Sequence, residues 1–156
     1  MTDFVPLDVV ERFDHVAIAV WDVGTMVTLV ELLGGRFRDG GDVESAGFKW
    51  VQFHLPGAGK LEVLQPLDAD DSDHFLVRFL EDRGEGLHHL TFKVTDLEAA
   101  VAEARSRGFE VVGVDTSGAW KEAFLHPAST RGVLIQLAEW DDADPPEPRA
   151  SLADVL

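Results

Sequence analysis

Apolar residues along the chain change rhythm in a fixed order, and they do so twice. VAIAV at 16–20 and LTFKV at 90–94 are short, β-rich apolar runs of the strand type. Each is followed by an aspartate, Asp22 or Asp96, where a helix N-cap belongs. The next segments, VGTMVTLVELLGG and LEAAVAEARSRG, space their apolar residues as helices do and stop at glycine, a preferred C-cap. Alanine and glutamate strengthen the second helix, whereas Gly24 and β-branched residues weaken the first. Three strand-like runs follow each helix, near 35–40, 47–55 and 60–65 in the first copy. In the second they lie near 109–114, 121–126 and 132–139. Both copies predict a β-α-β-β-β module.

The copies share a register. Aligning RFDHVAIAVWDV with GLHHLTFKVTDL pairs His15 with His89, Asp22 with Asp96 and Gly34 with Gly108, each 74 residues apart. The same offset pairs LEVLQ with IQLAE and sets Glu62 against Gln136. A duplicated module of this kind is expected to form one α+β domain over 1–156 from two tandem β-α-β-β-β modules. Module one covers about 12–67 and module two about 86–140. Between them DADDSDHFLVRFLEDRGEG offers caps, an apolar face and a closing Gly84, which predicts a connecting helix within 68–85. The tail at 141–156 is acidic and proline-rich at first, so it is expected to be loose, with a short docked turn at its end.

Composition narrows the chemistry. The chain of 156 residues has an ordinary hydrophobic fraction of 46%, and its apolar runs are too short to span a bilayer. MTDFVPLDVVERFD has no basic flank or apolar stretch of a secretory signal, so a cytoplasmic protein is expected. The absence of cysteine removes disulfides, thiolate metal sites and a cysteine nucleophile. With 29 acidic and 13 basic residues, the net charge of −16 argues against nucleic acid and anionic membrane as partners. The expected partners are a small-molecule substrate and a second copy of the chain in a homodimer.

Four side chains carry the candidate chemistry. His15 and His89 open the first strand of each module, and Glu62 and Gln136 lie in the last. A lone strand histidine is usually a satisfied or surface residue, and a strand glutamate usually faces solvent. Their occurrence at one repeat offset changes the balance, because equivalent positions in two pseudo-symmetric sheets converge near the symmetry axis. Two imidazoles and two side-chain oxygens make a nitrogen–oxygen site for one divalent ion, with Zn, Co, Ni, Mn and Fe all suitable.

DHVAIAV, GLHHLTFKV with its following aspartate, KLEVLQPL and FLHPASTRGVLIQL resemble the vicinal oxygen chelate (glyoxalase/bleomycin resistance/dioxygenase) superfamily, and most closely its methylmalonyl-CoA epimerases. The resemblance covers residues 13–139. It implies a cupped sheet around one metal, with ligands at His15, Glu62, His89 and Gln136. It also implies proton transfer α to a chelated thioester carbonyl, with an acyl-CoA thioester as the substrate type. The epimerase pattern usually ends on glutamate where this chain has Gln136, and often has glutamine where this chain has Glu62. Glutamine cannot accept a proton, and an epimerase needs proton-transfer groups on both faces of the α carbon. Glu62 is therefore the expected base. Glu44, in ESAG, resembles an acidic residue before a glycine in the epimerases and is the second catalytic candidate.

Other polar residues carry less. Strand alternation turns His88 away from His89, which suits a structural role. His126 resembles a family position near the substrate and equally suits a strand end before a turn proline. His54 and His74 have no supporting context, and Lys49, Lys121 and Arg131 are the basic residues nearest the expected mouth. The alternatives are a glyoxalase-type lyase and an iron-dependent dioxygenase, the latter from the set of two histidines and one carboxylate. Outside catalysis stands a resistance-type binding protein, which needs no metal ligands.

Overall fold

The computed structural model describes residues 6–142 and 151–156. The chain divides into two compact units, one of His15–His88 and Pro145–Leu156, the other of Met1–Asp14 and His89–Asp144.

In the first of these units, β1 (Val10–Ala19) pairs in parallel with β4 (Lys60–Pro66). Strand β3 (Phe48–His54) pairs antiparallel with β4 and with β2 (Arg36–Val43). Alternation along β1 sends Val16, Ile18 and Val20 to one face, where they meet Val23, Val30, Val51, Phe53, Leu61 and Val63. Ala17 and Ala19 go to the other face and pack with Leu64 and with Leu76 and Leu80 of α2 (Phe75–Arg83). The expected first helix is divided: Asp22 caps a 3-10 turn over Val23–Met26, and regular helix α1 covers only Val27–Leu32. Gly24 and the β-branched residues resist α geometry there, and the tighter turn absorbs them. The connecting helix is also shorter than 68–85, because its first third is spent in turns that Asp68 and Asp71 hold through their own side chains. Its cap is His74, whose ring accepts from the Leu76 amide.

In the second unit, β5 (Gly86–Val94) pairs in parallel with β8 (Ile135–Glu139). Strand β7 (Lys121–Leu125) pairs antiparallel with β8 and with β6 (Val111–Asp115). Helix α3 (Leu97–Ser106) is capped as expected by Asp96, which accepts from Ala99 N at 2.9 Å. Its buried Leu97, Ala100 and Val101 cover Val94, Ala123 and Leu137. The glycines that close the two helices have the left-handed backbone this cap requires, Gly34 at φ 72° and Gly108 at φ 89°.

The strand order is β2-β3-β4-β1 in the first unit and β5-β8-β7-β6 in the second. The duplicated β-α-β-β-β pattern is visible in the registers. Ala17 stands beside Glu62 and Thr91 beside Gln136, which keeps the 74-residue offset. On the hairpin strands Glu62 faces Gln52 and Gln136 faces Phe124, so there the repeat slips to 72. The expected loose stretch of the tail falls mostly at 143–150, outside the described residues. The docked turn at its end is α4 (Leu152–Val155), with a capping box between Ser151 and Asp154 and Val155 buried in the first unit's core. Among the described residues no helix is long and apolar enough to cross a membrane.

Candidate metal centre

In the first unit, one sheet face carries a row of polar side chains across four strands. His15, 1% exposed, sends Nε2 to within 3.5 Å of Glu62 Oε1. Ala17, next to Glu62 in register, has only a methyl group on that face and leaves the carboxylate room to turn toward His15. Glu62 Oε2 accepts from Gln52 Nε2 at 2.6 Å, and Gln52 Oε1 accepts from Arg38 Nη1 at 3.2 Å. The order is Arg38, Gln52, Glu62, His15, on β2, β3, β4 and β1. A carboxylate cannot donate, so Gln52 must turn its amide nitrogen to Glu62 and its oxygen to the guanidinium.

The second unit builds the equivalent face with different chemistry. His89 is buried, its ring edge-on to Phe124 with centroids 6.3 Å apart. Thr91, wholly buried where the first repeat has Ala17, donates its hydroxyl to Gln136 Oε1 at 2.7 Å. Gln136 Nε2 donates to Glu122 Oε2 at 2.7 Å, and the same oxygen accepts from Trp120 Nε1 at 2.9 Å. Ionised Glu122 takes only donors. It therefore fixes which end of the Gln136 amide is nitrogen and leaves the oxygen end on the Thr91 side.

The four expected ligands thus stand as a histidine and an oxygen donor in each unit. His15 and Glu62 in the first unit and His89 in the second are of the residue types that hold a metal ion. Imidazole nitrogen with carboxylate and amide oxygen is a donor set that fits a borderline divalent cation. Glu44 is outside this group, in the exposed 3-10 turn Glu44–Ala46 between β2 and β3.

Three of the other histidines have structural surroundings. His88 packs edge-on against Phe75 and Phe79 of α2, and burial holds its pKa down to about 4. His74 caps α2 and also reaches the Ala46 carbonyl with Nε2 at 2.9 Å. His126 accepts from Ala128 N and caps the turn Pro127–Ser129. Lys121 is ion-paired with Glu139 at 2.9 Å, and Arg131 is an exposed residue with φ 61°. Sequence reasoning missed Gln52, Arg38, Thr91 and Glu122. Thr91 was within reach, two residues after His89 and 74 after Ala17. The others depend on hairpin registers that periodicity does not reveal.

A family described as the Glyoxalase/Bleomycin resistance protein/Dioxygenase superfamily matches residues 14–124. An uncharacterized protein, YqjC of Bacillus subtilis, is 34% identical over 132 residues, covering 82% of this chain and 91% of its own. The ethylmalonyl-CoA/methylmalonyl-CoA epimerase of Cereibacter sphaeroides is 31% identical over 134 residues, covering 82% of this chain and 97% of its own. Among solved structures, the methylmalonyl-CoA epimerase of Mycobacterium tuberculosis superposes with a TM-score of 0.75 at 28% identity. That match covers 88% of this chain and 93% of the epimerase.

Proposed function

The chain belongs to the Glyoxalase/Bleomycin resistance protein/Dioxygenase superfamily, and on that premise we propose that it is a metal-dependent isomerase moving the proton α to a thioester carbonyl. The observation that carries this reading is the pairing of a buried histidine with a side-chain oxygen donor on equivalent strands of both repeats, beside carboxylates suited to proton transfer. His15, Glu62, His89 and Gln136 are the proposed ligands of one divalent ion. Bound there, such an ion supplies Lewis-acid polarisation of the substrate carbonyl.

The chain's own residues do the rest. Gln52 holds Glu62 by Oε2 and keeps Oε1 toward His15. Thr91 and Glu122 hold the Gln136 amide with its oxygen end presented. Glu62 is the proposed base, because Gln136 does not titrate. For the other face of the α carbon, partly buried Glu122 is preferred to exposed Glu44. Trp120 and Gln136 both donate to its Oε2, and Oε1 is the proposed proton acceptor. The substrate is an acyl-CoA thioester or a related small molecule, handled by a cytoplasmic homodimer.

The test is untagged protein, assayed for one divalent ion per chain and for deuterium wash-in at the α carbon across a thioester panel. Glu62→Gln is expected to retain metal, more weakly held, while exchange falls about a hundredfold, the usual scale for a lost general base. Metal-loaded Glu62→Gln exchanging at the wild-type rate would remove Glu62 as the base. Oxygen uptake by the iron-loaded protein without α exchange would favour the dioxygenase alternative, whose two-histidine, one-carboxylate set is also present.

A further inference from the structure

Trp120 comes just before β7 and two residues before Glu122, so strand alternation puts both side chains on one face. The register in which Lys121 meets Glu139 brings Trp120 opposite Trp140. Their indoles stack, with centroids 4.7 Å apart and planes 21° from parallel. Two cations also rest on Trp140, the Lys93 ammonium 5.0 Å from the ring centroid and the Arg12 guanidinium at 5.6 Å. The two indole N–H groups differ in direction. Trp140 donates to Asp142 Oδ1 at 2.8 Å, away from the polar row that holds Gln136. Trp120, although 42% exposed, donates to Glu122 Oε2 at 2.9 Å, the oxygen that also accepts from Gln136 Nε2.

The sense of this row follows from what each member can do. An indole N–H only donates, an ionised carboxylate only accepts, an amide does each at a different end, and a hydroxyl does either. Hydroxyl chemistry at Thr91 therefore suits both ends of the Gln136 amide, whereas at Glu122 only the nitrogen end fits. Glu122 reaches that nitrogen on the diagonal, because its partner across β8 is Ala138 and that of Gln136 is Phe124. A glutamate has several rotatable bonds, and a second donor on Oε2 holds it in the arrangement that meets the amide. That donor is Trp120. In the first unit another group that only donates, Arg38, stands at the outer end of the row through Gln52 to Glu62.

We propose that Trp120 is a positioning residue for the metal centre: its indole N–H fixes Glu122, which turns the Gln136 amide so that oxygen rather than nitrogen is offered to the ion. This rests on the assignment of Gln136 as a ligand in the reading above. The competing role is packing alone, in which the stack of Trp120 on Trp140 steadies the ends of β7 and β8 and the N–H is incidental.

Two variants separate these roles, because each keeps a pair of aromatic rings and only one removes the N–H on Glu122. Trp120→Phe is expected to weaken binding of Co(II) to the full chain, followed by titration calorimetry, by about tenfold, the low end for losing a partner behind a ligand. Trp140→Phe should leave that affinity unchanged, and in a Glu122→Ala background Trp120→Phe should add no further loss. The metal-free chain gives a second readout in the NMR signals of the Gln136 side-chain amide. Wild type and Trp140→Phe should each show a single set, and Trp120→Phe a second set in exchange with the first. Trp120→Met removes the same N–H, should the phenylalanine protein fail to fold. Equal losses of affinity in the two single variants would assign the effect to packing and overturn the proposal. So would Trp120→Phe with wild-type affinity and a wild-type amide spectrum. Wild type that binds no ion, with the amide still released by Trp120→Phe, would sink Gln136 as a ligand and leave the orientation of its amide by Trp120 standing.

Discussion

Position 136 carries an amide where its repeat equivalent, position 62, carries a carboxylate, and the neighbour on β7 supplies a reason. Glu122 lies 2.7 Å from Gln136, so a second carboxylate at 136 would face it directly. Gln136→Glu is expected to destabilise the metal-free protein by about 1–3 kcal/mol, and Glu122→Gln in the same chain to restore most of it. A double-mutant cycle by urea denaturation measures this coupling, and additive effects would show that the two positions are independent. Another residue-scale effect concerns Asp142, whose carboxyl is held down to about 2, first by its hydrogen bond from Lys93 and then by Arg12 and Trp140. Its pKa is lower in the folded than in the unfolded chain, so its stabilisation is complete above the ordinary value near 3.8. That contribution fades as pH falls toward 2. Relative to Asp142→Asn, wild type should lose stability across that window. At a half-exposed carboxylate the effect stays at or below about 1 kcal/mol.

Among the elements, the helix ends respond to single side chains. Asp96 satisfies an otherwise unpaired amide in the first turn of α3, and Asp96→Ala is expected to cost about 1 kcal/mol in chemical denaturation. Helix α4 has only four residues, too few to persist alone, and depends on its capping box and on Val155. Val155 is 6% exposed and sits with Val30, Val51 and Phe53, so Val155→Ala should cost about 1–2 kcal/mol from the apolar groups removed. No loss would show that the C-terminal turn adds nothing to that unit's core. Strand β2 shows the opposite use of local structure, since its bulge breaks the regular register and frees Arg38 from pairing.

For the molecule as a whole, an ion held by donors from both repeats would bind the folded chain and scarcely bind the unfolded one. Free metal at a hundred times its Kd should then stabilise the protein by about 2.7 kcal/mol, reversed by chelator. Melting temperature against metal concentration measures this. His15→Ala and His89→Ala are each expected to abolish the shift while leaving the apo melting temperature within a few degrees. If His89→Ala still binds one ion with unchanged affinity, the second repeat does not contribute the ligand assigned to it.

The repeated order of strands and helices and the Asp22 and Asp96 caps were legible along the chain, and the same repeat singled out the four residues proposed as ligands. Period-2 alternation, cap chemistry and a constant offset are local or translational signals that need no partner strand. Helix lengths were only partly legible, because Gly24 and the self-bonding aspartates at 68–71 shift the balance between α-helix and turn by small energies. The surroundings of the ligands were decided by tertiary structure. Gln52 meets Glu62, and Glu122 meets Gln136, only through hairpin registers that slip by two residues between repeats. Arg38 joins the first row only because one extra residue is accommodated opposite Gln52. Hydrogen bonding between strands is nearly the same in adjacent registers. The burial of whole faces selects among them, and that information is spread over the entire sheet.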